Sequence, residues 1–446
     1  MDRTLILDCN KKIGEQVKIC GFVQVRRDHG KIIFLDVSDR SALIQVVLSE
    51  GANVFHLEGG IDLHPQDVVC IEGKVNKRPD NLVNKNIPTG EIEIAADSLE
   101  VLSKADPELP IPIIEKGNEN EADLGIRMDW RFLDLRKPEK RLIFKVWTVM
   151  EQAFRNYCIS NDYIEIHSPK LIETATESGS ELFEVKYFGK KAHLAQSPQL
   201  YKQMAMAAGF EKVFEIGPVF RANPSFTSRH DTEFTMYDIE MSFINSHEDL
   251  MAEEEKMVVE MLTAVKEKYG KEIKEVYGQD IVIPKIPFPR LTVKEVKEIL
   301  AKKGVPNERG EDLSPEGERA ICEYILENEG HEFVFIHEWP ASVRAFYSMR
   351  LESDPSLTKS FDLLWKGLEI TSGAQREHRP DQLEEQIKQQ RLNLNSFEDY
   401  INFFKYGCPP HGGFAPGPTR ILMKMLGLTS VREVTYLYRG PNRLRP

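Results

Sequence analysis

Three stretches of the chain gather residue types that do chemistry together. In Phe214–Phe243 (FEIGPVFRANPSFTSRHDTEFTMYDIEMSF), Arg221, Arg229 and His230 fall within ten residues of one another. A guanidinium grips a phosphate or carboxylate through two N–H groups, so this cluster suits an anion. Asp238 and Glu240 follow, two apart, which puts both on one face of a strand. A basic loop over an acidic strand fits a substrate carrying both phosphate and ammonium groups. The same residues also describe an exposed hairpin with ordinary surface charge. In Phe361–Arg379 (FDLLWKGLEITSGAQREHR), Glu369 and Ser372 end an apolar run, with Arg376 just beyond. Carboxylate and hydroxyl are hard oxygen ligands for Mg²⁺ shared with substrate phosphates. Arg376 can clamp a carboxylate; the other reading of the group is a structural salt bridge. Near the end, YGCPPHGGFAPGPTRILMKMLG carries glycines that let backbone approach a nucleotide. Its Arg420 opens an apolar helix, where a cation opposes the helix dipole and an anionic ligand would account for it.

Strands and helices must hold these groups. The first stretch reads as two strands, the second of them Thr235–Phe243, joined by a loop whose turn chemistry comes from Pro224, Ser225, Thr227 and Ser228. Upstream, Leu194–Met206 reads as a helix entered through Ser197-Pro198, with Gln199 and Lys202 sharing a face. A lone lysine on such a face is ordinarily solvated. Thr174–Phe183 (TATESGSELF) has no apolar period and reads as a mobile loop, with Glu177 as a surface acid. Leu142–Asn156 is an amphipathic helix followed by the strand DYIEIHSPKL. His247–Tyr269 is a long helix capped by Ser246. Residues 280–350 carry two more helices, in LTVKEVKEILAKKG and SPEGERAICEYILENEG, and read as a peripheral insertion.

Residues 1–104 have a different grain. Val17–Val25, Ile32–Val37, Ala42–Leu48, Asp67–Val75 and Glu91–Leu102 are short β-rich runs separated by turn residues. Five such strands predict an OB-type barrel, a fold that binds single-stranded nucleic acid on one face. Phe22, Gln24, Arg26 and Phe34 could line that face or pack the barrel. Residues 105–140 read as a hinge, stiffened by Pro107, Pro110 and Pro112, and end in RMDWRFLDLRKPEKRL, a basic run that by default is a solvated surface.

At 446 residues the chain exceeds one compact core, so two or three domains are expected. No apolar run approaches the ~20 residues of a membrane span, and the first residues show no secretory signal. The six cysteines are scattered without a CxxC pair. That argues against a cysteine zinc site and a disulfide framework, and fits a reducing cytoplasm. The net charge of −13 weighs against nucleic acid as a partner, but binding follows local clusters, and Arg26-Arg27 and 127–145 supply two.

FRANPSFTSRHDTEF resembles motif 2 of the class II aminoacyl-tRNA synthetases, and the DIEM after it resembles their aspartate branch. The 142–156 helix, its strand and Pro169 resemble motif 1, which implies a homodimer interface. YGCPPHGGFAPGPTRILMKMLG resembles motif 3. GLEITSGAQREHR resembles the archaeal-type aspartyl-tRNA synthetases, and GFVQVRRDHGKIIFLDVSDR their anticodon-binding domain. The resemblance covers essentially the whole chain. It implies an α+β fold: an antiparallel-sheet class II catalytic domain over 141–446 with an N-terminal OB-fold β-barrel. It implies ATP, L-aspartate and tRNA as substrates, Mg²⁺ as cofactor, and a cytoplasmic enzyme. By motif match, Arg221 and Arg420 are catalytic. Glu177, Gln199, Lys202, Arg221, Asp238, Ser372 and Arg376 take the aspartate. Arg221, Asn223, Arg229, His230, Asp231, Glu369, Gly417, Pro418, Thr419 and Arg420 take ATP, and Glu369 and Ser372 the metal. The rivals are an asparaginyl-tRNA synthetase, to which Lys202 would be poorly matched, and an inactive synthetase-like nucleic-acid-binding protein.

Three places depart from the family pattern: Asn223 and Thr419 stand where acids are common, and LYRG (Leu437–Gly440) replaces FPRD. They bear on contacts with adenine, the tRNA end or a second metal ion. Such variants resemble bacterial members of the archaeal-type branch that charge both tRNA(Asp) and tRNA(Asn). Discriminating members place a bulky aromatic at Gln24 and a lysine near Pro88. Neither residue here looks built to reject U in favour of C, so a non-discriminating enzyme is expected.

Overall fold

A computed structural model describes residues 1–30, 32–49, 52–55, 62–114, 121–173, 182–306 and 311–446. The chain divides into two compact units, Met1–Ile126 and Arg127–Pro446.

In the first unit, β1 (Gln16–Asp28), β2 (Ile32–Ser38), β3 (Leu43–Ser49), β5 (Val68–Lys77) and β6 (Ile92–Ser103) follow the order β3-β2-β1-β5-β6, with β4 (Asn53–Phe55) on the far side of β6. A parallel β3–β6 pairing closes the barrel, so these five strands leave no free edge between them. Val17, Ile19, Val23, Leu35, Val37, Ile44 and Val46 alternate inward and are buried.

A bulge between Val23 and Val25 shifts the β1 register. Beyond it Arg26 lies opposite buried Leu35 and points inward, while Arg27 lies opposite Phe34 on the outer face. Arg27, not Arg26, therefore joins the outer face with Phe34, because one inserted residue exchanges the two sides of a strand. Cys20 and Cys70 lie opposite each other on β1 and β5 and are joined by a disulfide. The scattered spacing had argued against a disulfide framework; only the strand register brings these two together.

After α1 (Leu124–Asp129), which spans the division, α2 (Arg131–Asp134) and α3 (Pro138–Ser160) of the second unit lead to β7 (Ile164–Glu165). A small sheet follows: β8 (Leu171–Ile172), β9 (Glu184–Tyr187) and β10 (Lys190–Leu194). Then come α4 (Gln199–Ala207), β11 (Lys212–Phe220), β12 (Glu233–Ser242) and α5 (His247–Tyr277). The remainder is β13 (Arg290–Thr292), α6 (Val293–Lys303), α7 (Pro315–Glu329), β14 (Phe333–His337), β15 (Ser360–Trp365), β16 (Leu368–Gln375), α8 (Pro380–Gln389), α9 (Glu398–Lys405), β17 (His411–Pro416), α10 (Pro418–Met425) and α11 (Val431–Val434). Eight strands form one mostly antiparallel sheet, β13-β14-β15-β16-β17-β12-β11-β7.

The sheet has two distinct faces. Phe333, Phe335, Phe361, Leu363, Trp365 and Phe414 pack with α3 and α5. Val334, Ile336 and Leu364, the alternate residues, pack with α6 and α7 on the other side. The 280–350 segment is therefore not a peripheral insertion, since β13 and β14 extend the central sheet. The expected solvated basic run is also corrected. Arg131 is 1% exposed; it bonds Asp134 and the carbonyls of Glu433, Thr435 and Tyr436, tying the C-terminal segment down.

Candidate active site

A cavity of about 1380 Å³ opens on the α6/α7 side of the sheet. Eight Lys or Arg line it against four Asp or Glu, so a protein of net charge −13 turns a positive surface to whatever enters.

The floor is built from β12, β17 and α4. Glu240 is fully buried, and its Oε1 and Oε2 accept hydrogen bonds from Arg376 Nε (3.1 Å) and Nη2 (3.3 Å). Lys202 Nζ stands 3.3 Å from Glu240 Oε2 and donates to Asp238 Oδ1 at 3.1 Å. Burial works against the Glu240 carboxylate, but Arg376 and Lys202 hold it below its ordinary range. Burial raises the Asp238 carboxyl against the pull of Lys202. Gly413 lies opposite Glu240 and accepts from Arg376 Nη2 at 3.0 Å. A Cβ there would meet the Ile239 carbonyl and the Glu240 carboxylate, so glycine is what lets β17 approach the pair.

A neutral chain stands behind the floor. His411 Nδ1 donates to the Pro409 carbonyl (2.9 Å) and its Nε2 accepts from Gln203 (3.0 Å). Gln203 Oε1 accepts from Gln199 Nε2 (2.8 Å) and the Tyr400 hydroxyl (2.9 Å). Burial lowers His411 to about 4, which fits these roles of an uncharged ring.

On the wall, a bulge in β16 at Ile370 decides which oxygen donors share a face. Leu364 pairs with Glu369 and Asp362 with Ser372. Leu364 and Asp362 share a face, so Glu369 and Ser372 do as well, which a regular strand would forbid at that spacing. Asp362, absent from the sequence reading, makes a third oxygen donor. It is buried, its Oδ1 has no hydrogen-bond partner, and Arg344 bonds the other oxygen. Burial raises its carboxyl to about 6 against the pull of Arg344. Two carboxylates and a hydroxyl, one with an orphaned oxygen, fit Mg²⁺.

The basic residues differ in how far they are committed. Among the described residues Arg221 has no carboxylate partner; its Nε donates to the Gln196 carbonyl (3.4 Å) and its guanidinium lies 5.5 Å from the Phe234 ring centre. Arg229 bonds both oxygens of Glu318 on α7 (2.8 and 3.1 Å). Glu318 also accepts from the Glu369 N–H (3.2 Å), and sequence reading missed it because α7 looked peripheral. Arg420 donates to the Glu369 carbonyl (2.9 Å) and carboxylate (3.3 Å). His230, expected as an anion ligand, is lowered to about 4 by burial and by Arg420 and Arg229. An uncharged ring meets an anion by donating a hydrogen bond. Asn223 closes a turn on the Ser225 N–H (2.9 Å). Asp231 borders the cavity but accepts from Thr435 (3.4 Å). Gly417 and Thr419 line the cavity and Pro418 is buried at the start of α10. Glu177 lies outside the described residues.

In the barrel, both ends of the Gln24 amide are engaged. It donates to Ser38 (2.6 Å) and accepts from Gln66 (3.0 Å). Pro88 is exposed, with its carbonyl taken by Asn10 (3.1 Å). Across the outer face Arg27 bonds Asp36 (2.7 and 2.9 Å) and Gln45 bonds Glu93 (3.0 Å), beside Phe34.

A sheet of this order with a polyanion cavity on one face, in a chain that also carries an OB barrel, is the build of a class II tRNA synthetase. Residues 123–439 match the model for class II tRNA synthetases (D, K and N), and the chain belongs to that family. Residues 17–102 match the OB-fold nucleic acid binding domain. Among individual proteins, the chain is 43% identical over 436 residues to the aspartate–tRNA(Asp) ligase of Pyrococcus abyssi, covering 97% of each. It is 43% identical over 443 residues to the aspartate–tRNA(Asp/Asn) ligase of Aeropyrum pernix, covering 97% of this chain and 96% of that one. Of solved structures, asparaginyl-tRNA synthetase from Pyrococcus horikoshii complexed with asparaginyl-adenylate matches with a TM-score of 0.89 at 30% identity, covering 100% of both chains.

Proposed function

We propose that the chain is an aspartate–tRNA ligase that activates L-aspartate with ATP and transfers it to tRNA(Asp) and also to tRNA(Asn). One observation carries the amino acid assignment: Lys202 and Arg376 are held side by side at the cavity floor by the buried Glu240. Two cations at one point suit a side-chain carboxylate and would be mismatched to the neutral amide of asparagine, although an asparaginyl enzyme shares the fold. Gln199 offers an amide oxygen to the α-ammonium group.

The α-carboxylate of aspartate attacks the α-phosphorus of ATP and pyrophosphate leaves. A ribose hydroxyl at the tRNA 3′ end then attacks the acyl carbon and AMP leaves. Arg221, uncommitted to any carboxylate among the described residues, bridges the attacking carboxylate and the α-phosphate. Arg229 and Arg420 exchange Glu318 and Glu369 for the outer phosphates, and Phe234 offers an aromatic face to the purine. Mg²⁺, when bound, neutralises phosphate charge; Asp362, Glu369 and Ser372 would hold it. Positioning and fixed charge supply most of the rate in such chemistry.

The barrel outer face takes the anticodon. The Asp and Asn anticodons differ in their third letter, C against U. Gln24 is committed at both ends, and Pro88 offers neither a side-chain hydrogen bond nor an N–H. Neither is set to exclude U, and relatives named Asp/Asn support dual charging. We further propose a cytoplasmic homodimer with α3 and β7 at the interface; no described helix is long and apolar enough to cross a membrane. Charging both transcripts with labelled aspartate tests tRNA choice. Comparable rates are expected; a hundredfold preference for tRNA(Asp), about 2.7 kcal/mol, overturns dual charging.

A further inference from the structure

α5 begins at His247 and β14 ends at His337, and their imidazoles meet on the side of the sheet turned away from the reaction cavity. The register fixes that side. His337 pairs with Phe361, Phe361 with Gly373 and Gly373 with Phe414, a row packed beneath α5, whereas the neighbouring row holds Asp362 and Ser372.

His247 Nε2 lies 3.4 Å from His337 Nδ1. That is long for a hydrogen bond. It is the separation of two nitrogens on one tetrahedral zinc ion, because Zn–N bonds of about 2.0–2.1 Å at the tetrahedral angle place them roughly 3.3–3.4 Å apart. Glu248, next in sequence, brings Oε1 to 3.9 Å from His247 Nε2, and the ligand atoms of all three residues lie within 4.8 Å of one another. The first turn of α5 is rigid: Ser246 and Asp249 form a reciprocal cap. Arg290 bonds the other oxygen of Glu248 and also Glu255 (3.0 Å), so the carboxylate is held from behind, as outer-shell partners hold metal ligands. The Glu338 carboxylate stands 4.0 Å from His337 Nδ1.

We propose that His247, Glu248 and His337 form a zinc-type divalent cation site, separate from the reaction cavity, that pins the first turn of α5 to the end of β14. Cysteine spacing could not reveal it, since two histidines 90 residues apart carry no sequence signature.

The test uses the full chain, stripped with a chelator and titrated with Zn²⁺ and then Co²⁺ in excess Mg²⁺. One Zn²⁺ per chain at micromolar concentration or below is expected, with the visible absorption of four-coordinate Co²⁺. His337→Ala should weaken binding at least by the roughly 10–100-fold that loss of an outer-shell partner causes. Glu248→Gln, a change at a half-buried residue outside the core, should shift it in the same direction. Aspartate-dependent exchange in His337→Ala should stay near that of the parent chain. Binding equal in the parent chain and both variants, or abolished by excess Mg²⁺ and ATP, would overturn the site.

Discussion

Arg376 and Glu240 meet through two hydrogen bonds, 3.1 and 3.3 Å, on the cavity floor, with neither residue more than 5% exposed. The glutamate fixes the plane of the guanidinium before any substrate arrives, so the group is preorganised for a second carboxylate. Arg376→Lys keeps the charge but cannot keep the paired geometry. Losing such a buried contact costs about 2–5 kcal/mol, roughly thirtyfold to several thousandfold in kcat/KM for aspartate. Aspartate-dependent exchange, measured beside circular dichroism to confirm folding, checks this. Near-normal activity would remove Arg376 from side-chain recognition.

Glu369→Gln should raise the Mg²⁺ concentration needed for half-maximal exchange, because a formal charge leaves a hard-oxygen site. It also removes the carboxylate that Arg420 contacts at 3.3 Å. An unchanged Mg²⁺ midpoint would place the metal elsewhere.

Glu254 predicts a pH effect on stability. It sits wholly buried on α5, neither carboxyl oxygen has a hydrogen-bond partner, and burial raises its pKa from 4.5 to about 8. As pH rises through that interval the unfolded chain loses this proton first, so stability falls and levels off above about 8. At pH 7 the penalty is roughly 3 kcal/mol, at about 1.4 kcal/mol per pH unit. Glu254→Gln carries no such proton. Its melting temperature should exceed that of the parent chain by several degrees at pH 8 and differ little at pH 5. Equal melting curves at both pH values would show that the carboxyl is solvated.

The sheet ends at β7, an edge strand where Ile164 is 48% exposed, close to Ile159 at 58% on α3. An open apolar edge invites pairing with a second copy. Sedimentation at micromolar concentration should give a dimer, and Ile164→Lys should weaken it. An active monomer would contradict the interface.

The cavity residues of β12, α4 and β16 were legible because charged side chains in apolar strands, and a helix opened by Ser-Pro, carry local signals. Asp362 was not, although it too interrupts an apolar strand, because its partnership with Ser372 depends on the β16 bulge. Arg344 reaches the cavity, and Glu318 reaches Arg229 at its edge, from segments with no local signal to place them there. Whether Arg26 lines the outer face of the barrel or packs inside it stayed open in the sequence, and one bulge gives the outer place to Arg27. The burial of Arg131 was invisible for another reason: its partners are backbone carbonyls about 300 residues away, and carbonyls leave no mark in a sequence.

ATP–pyrophosphate exchange with L-aspartate and L-asparagine in parallel tests the central claim most directly, because it reads amino acid recognition without tRNA. The paired cations Lys202 and Arg376 predict exchange with aspartate and at least a hundredfold less with asparagine. Exchange with asparagine equal to or faster than with aspartate would contradict the account.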